Sequence, residues 1–443
     1  MKADRASLRR LFGALNYLVD ERVGVIRFVL EAPREPGSPD FFHYFAQACD
    51  TRAFSDQANF GKTGGASVER GVAMAKAVGE AVERYCAAIY APRDLPLASF
   101  ADAPFRCVRP DSFALLSQQQ YQRADVIFVP FDDRTPVRWV PARDELTGEE
   151  WYVPAAMVYV PYIYHRGHGE SPIAQSISTG LACHCSYGEA AVSAICEVIE
   201  RDAFTITWQA MLAHPQIHLE SLSARNRNLV ERFERAGYTV TLLDMTLDAG
   251  IPTVLAVSRS DRPDAPPLVP AGSAALDPEE AVRKSLEELE HTREYSHKIL
   301  VHLPRLASDL DAESVQDQTG HLNFWCSHDH APLADFLFAS EVRRDMGEMA
   351  NLSCGTPEGD LRTLLERVRD IGHRVLLCDV TTPDIRHVGL WVVRAIIPGF
   401  HPLVVGHNIR ALGGKRLWSV PLALGYPGIT RERGDNPAPH PYP

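Results

Sequence analysis

Apolar and small residues recur at helical spacing between residues 187 and 208, which predicts a long helix with one apolar face. A turn-rich segment at Gly180 leads into it. On its polar side Glu197 and Glu200 are three residues apart, so their carboxylates emerge side by side. Two adjacent carboxylates repel each other unless a cation joins them, and Mg²⁺ prefers oxygen ligands of this kind. A solvated acidic face is the alternative, and a lone E-x-x-E-R motif would favour that interpretation.

A second stretch repeats this pattern without a gap. Residues 73–86 read AMAKAVGEAVERYC, and residues 190–203 read AAVSAICEVIERDA. Two helices with the same charged triplet at the same phase indicate two halves that face one site, so coincidence is the weaker explanation. The charged residues align as Glu80 with Glu197, Glu83 with Glu200 and Arg84 with Arg201.

Downstream, two segments each contain a helix that stops at a glycine and leads into a pair of apolar strands. One segment covers residues 229–258 and the other covers 364–397, with Gly237 and Gly372 as the matching stops. Each first strand ends in an Asp-x-Thr, whose aspartate we interpret as a turn residue. The chain is therefore predicted to be an α/β protein with internally repeated α/β units.

The remaining pattern predicts further elements in chain order. They are a helix and a strand within 7–30, a helix over 67–90, strands through 124–165 with a turn at 145–148, and a helix over 277–296 capped by Asp277. The glycine-rich GKTGG at 61–65 is not a P-loop, because G-x-x-x-x-G-K-[ST] requires glycine where Asp56 stands. Cys326, His328 and His330 form only a weak metal pattern, and such loop histidines are more often structural.

Composition narrows the function classes. The 443 residues are 45% hydrophobic and 23% charged, which is typical of a globular protein long enough to bury a sizeable core. A net charge of −12 with no basic stripe disfavours a nucleic-acid partner. Nine scattered cysteines without a C-x-x-C pair fit a reducing cytoplasm. The most apolar stretch, 153–164, is too short to span a bilayer, so no membrane partner is expected.

The sequence closes with PAPHPYP, in which prolines occupy positions 437, 439, 441 and 443. Such a segment cannot join a helix or a central strand, so it is predicted to be extended. A stiff final segment is a good way to place a terminal carboxylate. A disordered end is the alternative, because termini are usually poorly ordered.

Together these features resemble the YcaO family. The matching elements are GKTGG before a helix, the two E-x-x-E-R helices, STGLA at 178–182, the helix at Asp277 with its E-E-x-x-H, and the proline-rich end. The resemblance implies a YcaO-type ATP-binding fold with no P-loop, in which acidic residues of several helices hold Mg²⁺. We expect an N-terminal helix and strand extension over 1–55 and a YcaO domain over 56–443.

The resemblance also assigns site residues. Two positions depart from the family: Lys76 stands where the family often has serine, and Cys185 where it often has asparagine. ATP contacts are implied at Lys76, Glu80, Glu83, Arg84, Glu189, Glu197, Glu200, Arg201, Arg283 and Glu288. Mg²⁺ ligands are implied at Glu80, Glu83, Glu197 and Glu200.

The PHPYP ending resembles the azoline-forming branch, the ATP-dependent cyclodehydratases of ribosomally made peptides. This implies that the terminal carboxylate of Pro443, presented by Pro439 and Pro441, acts as the catalytic base. The expected partners are a precursor peptide, a separate E1-like or other leader-recognition protein, and a second copy in a homodimer. Two alternatives stay open: formation of a thioamide or amidine, and a non-catalytic scaffold, which Lys76 and Cys185 motivate.

Overall fold

The computed structural model describes residues 5–306 and 310–442, and its helices and strands confirm the predicted α/β fold. The helices of the described residues are α1 (Arg5–Leu18), α2 (Arg70–Ala87), α3 (Tyr187–Gln209), α4 (Ala224–Arg235), α5 (Pro278–His302), α6 (Gln318–Phe324), α7 (Pro357–Asp370), α8 (Pro383–His387) and α9 (Lys415–Ala423). The strands are β1 (Ile26–Glu31), β2 (Phe42–Ala48), β3 (Lys62–Ser67), β4 (Leu97–Ala98), β5 (Val137–Arg143), β6 (Glu150–Pro154), β7 (Leu181–His184), β8 (Gln216–Ile217), β9 (Thr239–Asp244), β10 (Thr253–Arg259), β11 (Leu268–Ala274), β12 (Arg343–Arg344), β13 (Leu376–Asp379) and β14 (Trp391–Ile396).

These strands pair into three sheets. The first has the order β1-β2-β3 and the second the order β11-β10-β9-β8-β12. The third has the order β4-β5-β13-β14-β7, with β6 also paired to β5. Among the strands of the described residues, only β8 and β12 pair in parallel. The sheets are therefore built mainly from antiparallel neighbours, and helices pack against them.

Three helices follow a strand after only two or three residues: β3 leads to α2, β7 to α3 and β11 to α5. Each leading strand pairs antiparallel with a neighbour and packs under its own helix. Four residues of the glycine-rich GKTGG, 62–65, lie inside β3. A Cβ on Gly65 would lie 2.6 Å from the carbonyl oxygen of Ala73, so glycine lets α2 approach the strand closely.

The predicted downstream repeat is confirmed. In each copy a helix (α4 or α7) ends before a glycine with positive φ, 81° at Gly237 and 82° at Gly372. An antiparallel pair follows, β9 with β10 and β13 with β14. Asp244 and Asp379 each accept a hydrogen bond from the main-chain N–H two residues ahead, at 3.1 and 3.0 Å, as turn residues do. The second copy differs by inserting α8 between its strands.

Part of the strand prediction for 124–165 is wrong. Strands β5 and β6 and the turn between them are present, but residues 126–131 form no strand, and 155–157 form a short 3₁₀ turn. Pro130 and Pro161 lack the N–H that a sheet ladder requires. The apolar pattern there reflects burial: Phe131 packs on Trp139 with ring centroids 6.2 Å apart.

The predicted helix and strand at the N-terminus are α1 and β1. Leu11 and Ala14 of α1 pack in the same core as Ala77 and Val78 of α2. The division between residues 55 and 56 stays a prediction, and it falls between β2 and β3, which pair in one sheet. None of the helices in the described residues is long and apolar enough to cross a membrane.

The central helix α3 carries the second charged triplet. Its last seven residues are all buried, and Trp208 is completely so. A helix that is covered on every side lies in the interior of the fold. The C-terminal part of α3 therefore lies in the core, and its acidic turn lies at the boundary of that core.

Candidate active site

The two glutamates of α2 are held by main-chain N–H groups. Glu80 accepts a hydrogen bond from Gly64 N at 3.2 Å and pairs with Arg84 one turn later, also at 3.2 Å. Glu83 accepts from Cys183 N at 2.7 Å, and Cys183 belongs to β7 of the neighbouring unit. The first triplet is thereby joined directly to the strand that leads into the second.

The glutamates of α3 are arranged in the same way. Glu197 accepts from Gly180 N at 3.0 Å and lies 3.7 Å from Arg201. Glu200 accepts a hydrogen bond from the hydroxyl of Tyr442 at 2.6 Å and lies 3.3 Å from Arg201 Nε. Both E-x-x-E-R motifs therefore contribute to one cleft, with the proline-rich tail at its Glu200 end.

Burial and mutual repulsion dominate the electrostatics of the cleft. Burial, together with the charges of the neighbouring Glu80 and Glu197, raises the pKa of Glu83 to about 8. Burial likewise raises the pKa of Glu200 to about 7, against the opposing effect of Arg201. Carboxylates that repel one another in a desolvated cleft would be stabilised by an added cation.

Helix α5 closes the cleft from a third direction. Glu287 is 1% exposed and pairs with Lys76 of α2 at 2.8 Å and with Arg283 at 2.5 Å. Ser67 of β3 also donates to Glu287, at 2.7 Å. Lys76 and Arg283, both predicted to contact ATP, are thus linked through a glutamate that the sequence analysis did not select.

The next residue on α5, Glu288, has a different environment. It lies 3.7 Å from His291. Burial opposes its ionisation, yet His291, Lys76 and Arg201 together lower the pKa of Glu288 to about 2. A Cβ on Gly64 would lie 2.5 Å from Nε2 of His291, so glycine makes room for this imidazole. His291 therefore reaches the α2 side of the cleft.

The N-terminal end of α3 is occupied by contacts with α1. Glu189 accepts hydrogen bonds from Ser186 Oγ at 2.8 Å and from Ser7 Oγ at 3.4 Å. It is eight residues before Glu197, roughly 12 Å along the helix. The Cys185 thiol donates to the carbonyl of Ser7 at 3.4 Å. The structure thus places Glu189 and Cys185 together, apart from the two glutamate pairs.

The proline-rich tail is ordered and buried through Tyr442. Indole N–H groups of Trp208 and Trp325 donate to the carbonyls of Ala438 and Pro439, at 3.0 and 2.8 Å. Tyr442 is 1% exposed, and its ring lies 4.5 Å below the guanidinium of Arg201. A frayed end is therefore wrong for these residues. Pro439 and Pro441 are buried, and Pro443 lies outside the described residues.

The weak metal pattern of the 326–330 loop is structural. His330 donates from Nδ1 to the carbonyl of Phe324 at 2.7 Å and stacks on the ring of Phe324. His328 donates from Nε2 to the carbonyl of Arg262 at 3.1 Å. The buried thiol of Cys326 donates to main-chain carbonyls. These side chains use their polar atoms within the fold.

The cleft suits Mg²⁺ bound together with a nucleotide. Within residues 5–306 and 310–442, no three His, Cys, Asp or Glu side chains are grouped closely enough to hold a metal by themselves. Mg²⁺ that accompanies a nucleotide takes one or two carboxylates, while phosphates and waters complete its shell. Pairs of glutamates facing each other across a cleft, with arginines behind them, meet that need.

Sequence reasoning missed three kinds of group in the cleft. The N–H groups of Gly64, Gly180 and Cys183 leave no trace in side-chain patterns. Glu287 was passed over for its neighbour because adjacent glutamates cannot be ranked without the helix's packing. Tyr442 was treated as part of an extended tail, although a tyrosine among prolines is a residue whose hydroxyl usually finds a partner when buried.

This fold and cleft define an α/β protein in which paired glutamates and arginines from repeated units face one another. A family model described as "YcaO cyclodehydratase, ATP-ad Mg2+-binding" matches residues 64–401. The chain belongs to the YcaO family. An uncharacterized protein of Methanothermobacter thermautotrophicus is 30% identical over 359 residues, which cover 78% of this chain and 85% of the relative.

Solved structures share the fold. A heterocyclase in complex with substrate and cofactor matches with a TM-score of 0.79 and 21% identity, over 98% of this chain and 57% of that one. This chain therefore spans little more than half the length of that heterocyclase. YcaO from Methanopyrus kandleri bound with AMPPCP and Mg²⁺ matches with a TM-score of 0.65 and 20% identity, over 90% of this chain and 94% of that one.

Proposed function

We propose that this protein is an ATP-dependent cyclodehydratase that converts Cys, Ser or Thr of a ribosomally made precursor peptide into azoline rings. The observation that carries the proposal is the position of the tail. Tyr442 reaches Glu200 at 2.6 Å, so the ordered proline-rich segment meets the glutamate cleft instead of leaving the fold. Membership of the YcaO family and the likeness to a heterocyclase fold support the same conclusion.

In the proposed reaction, the side chain of the modified residue loses its proton and attacks the preceding main-chain carbonyl carbon. The carbonyl oxygen becomes an oxyanion, which takes the γ-phosphoryl group of ATP and releases ADP. Loss of the amide proton then expels phosphate and leaves the C=N bond of the azoline. Phosphorylation is needed because an amide oxygen is a very poor leaving group, so the protein must chiefly align and neutralise the reacting groups.

The residues of the cleft divide these tasks. Glu80, Glu83, Glu197 and Glu200 would hold Mg²⁺, which supplies charge neutralisation of the triphosphate. Arg84 and Arg201 lie beside these carboxylates, whereas Lys76 and Arg283 pair with Glu287. All four cations would contact phosphate oxygens. Glu189 would contact ATP at the N-terminal end of α3. Glu288 would contact ATP together with His291. For the proton transfers we propose the terminal carboxylate of Pro443, presented by the segment containing Pro439 and Pro441.

The proposed partners are the precursor peptide and a separate protein that binds its leader. The E. coli microcin synthetase McbBCD complex, which matches this chain with a TM-score of 0.59 and was solved with pro-MccB17 bound, supports both partners. A cytoplasmic location and a homodimer remain predictions. Neither is needed for the chemistry of the cleft.

The test is mass spectrometry of a candidate precursor incubated with the protein, ATP, Mg²⁺ and the recognition partner. Azoline formation lowers the peptide mass by about 18 Da per ring, whereas a thioamide raises it by about 16 Da, as the bond changes of acyl activation require. A loss that depends on ATP supports the proposal. A gain assigns the thioamide alternative, and an unmodified peptide with every partner present favours the scaffold.

A further inference from the structure

An apolar cavity of about 100 Å³ adjoins the cleft and has no role in the chemistry described above. Three of its wall residues connect it to Glu197. Val198 follows Glu197 on α3, and Thr179 precedes the glycine whose N–H binds Glu197. Arg394 of β14 also lies in the wall, and the negative charge of Glu197 opposes the lowering of its pKa by burial. One end of the cavity therefore lies next to Glu197.

Two side chains of the cavity wall, Arg394 and His401, have buried nitrogen atoms without a hydrogen-bond partner among the described residues. Arg394 is 4% exposed, and its Nε donates to the carbonyl of Met157 at 2.9 Å. Its Nη1 has no hydrogen-bond partner among the described residues. Burial lowers the pKa of Arg394 to about 10, so the side chain stays charged near neutral pH. An unsatisfied buried donor is costly, and an acceptor from a ligand would remove that cost.

The main chain beside the cavity is also unpaired. Within the part of the chain that the structure describes, the N–H and C=O groups of Ser176 and Ile177 have no partner. The side chain of Gln175 holds this segment in place by a pair of 2.8 Å hydrogen bonds with the main chain of Val405. A fixed segment with free main-chain groups is a template on which a peptide can add by main-chain hydrogen bonds.

We propose that the cavity receives one aliphatic side chain of the peptide, from a residue flanking the one that becomes an azoline. Ser176 and Ile177 would bind the peptide main chain, and Arg394 would donate to one of its carbonyls. The size is suitable, since an engineered cavity of about 150 Å³ holds benzene, so a somewhat smaller one suits a side chain such as leucine. This inference rests on the proposed function, because it requires a peptide substrate.

A nucleobase is the competing occupant. The peptide is favoured because the cavity adjoins Glu197, one turn from Glu200 and the tail, whereas Glu189 lies at the other end of α3. Unpaired main-chain N–H and C=O groups together match a peptide better than they match the edge of a purine.

The experiment compares two precursor peptides that differ only in having leucine or glycine at the residues flanking the reacting cysteine. We expect kcat/KM for ring formation to be at least about tenfold higher for the leucine peptide, the usual worth of filling an apolar pocket. Ala174→Leu would place a side chain in the cavity and lower the rate for the leucine peptide to that for the glycine peptide. Ala103→Leu is the matched control, since Ala103 packs on the same aromatic cluster but does not line the cavity.

Each other outcome overturns the inference in a distinguishable way. Equal rates for the two peptides with the unmodified protein would refute the subsite and leave the proposed function standing, whatever the stability of the variant. A raised KM for ATP in Ala174→Leu, with peptide discrimination retained, would assign the cavity to the nucleobase. Failure to modify either peptide would remove the proposed function, and the subsite with it.

Discussion

Helices α2 and α3 carry the same motif, and their first glutamates behave identically while their second glutamates do not. Glu80 and Glu197 each accept from a glycine N–H of the segment leading into their own helix and each pair with the arginine one turn later. Glu83 instead contacts the neighbouring unit at Cys183. Glu200 contacts the tail at Tyr442.

This difference indicates two tasks, binding the nucleotide and coupling it to the tail, which the shared motif does not distinguish. The first glutamate has the same hydrogen bond and the same ion pair on both helices. This arrangement suits nearly symmetric binding of cations and phosphates between the two helices. The second glutamate of α2, Glu83, links its unit to the neighbouring unit, whereas the second glutamate of α3, Glu200, links its helix to the tail. The α2 side is thus expected to serve the nucleotide alone, whereas the α3 side couples the nucleotide to the tail.

The largest effect is expected from the tail. Deleting Pro443 alone should lower ring formation by about 10²–10⁴-fold, the usual contribution of a general base, while the Kd for ATP changes by only a few-fold. Pro443 should be removed without Tyr442, because deleting 441–443 would also break the contact with Glu200. The measurement is the rate of mass loss from the peptide, with ATP binding measured separately. Unchanged ring formation would remove the catalytic role of the tail.

The two helices also differ at the residue that follows each arginine, and this difference should affect stability. Asp202 on α3 is 1% exposed and binds Arg416 at 2.8 Å, whereas Tyr85 on α2 donates to Asp384 at 2.7 Å. Asp202→Asn should lower the free energy of unfolding by about 3 kcal/mol, because it leaves the buried guanidinium of Arg416 with only one of its two carboxylate partners, Asp248. Tyr85→Phe should cost only about 1 kcal/mol, the net value of one hydrogen bond. Urea unfolding measures the free energy of unfolding of both variants. Equal decreases would contradict the proposed difference between α2 and α3.

The same aspartate predicts a pH dependence. Burial opposes its ionisation, but Arg416 and His401 hold the pKa of Asp202 at about 2, below the unfolded value of 3.8. A depressed carboxyl pKa stabilises the fold above the unfolded pKa and loses that effect as the pH falls through the folded pKa. The difference in the free energy of unfolding between the unmodified protein and Asp202→Asn should therefore stay constant above about pH 5. It should decrease between pH 3.8 and about 2. A gap that widens on acidification would show that Asp202 is not the responsible group.

A smaller effect is expected from Tyr442→Phe. The variant keeps the ring beneath Arg201 but removes the hydroxyl that donates to Glu200, which should slow ring formation about tenfold. Tyr426→Phe is the control, because it removes a tyrosine hydroxyl bonded to His214 outside the cleft. Single-turnover peptide modification distinguishes the two variants. Equal rates for both would mean that the contact between tail and glutamate is only structural.

The sequence predicted what depends on local periodicity. Both charged helices follow from the spacing of small residues, and the glycine stops at 237 and 372 follow from the positive φ that glycine tolerates. The partners of Glu83 and Glu200 could not be predicted, since they lie 100 and 242 residues away along the chain. The role of GKTGG in the close packing of α2 on β3 could not be predicted either, because the backbone that approaches a glycine is set by the tertiary fold.

The most direct test of one shared site is a double-mutant cycle on the second glutamates. Glu83→Gln and Glu200→Gln, singly and together, would be compared in peptide-dependent ATP turnover, with the exposed Glu234→Gln on α4 as the control for the substitution. We predict that each single variant loses about 10²-fold in kcat/KM and that the double variant loses little more, because residues that act as a unit are strongly non-additive. A single variant with unimpaired turnover, or a double variant whose loss equals the product of the single losses, would contradict a single site between the two helices.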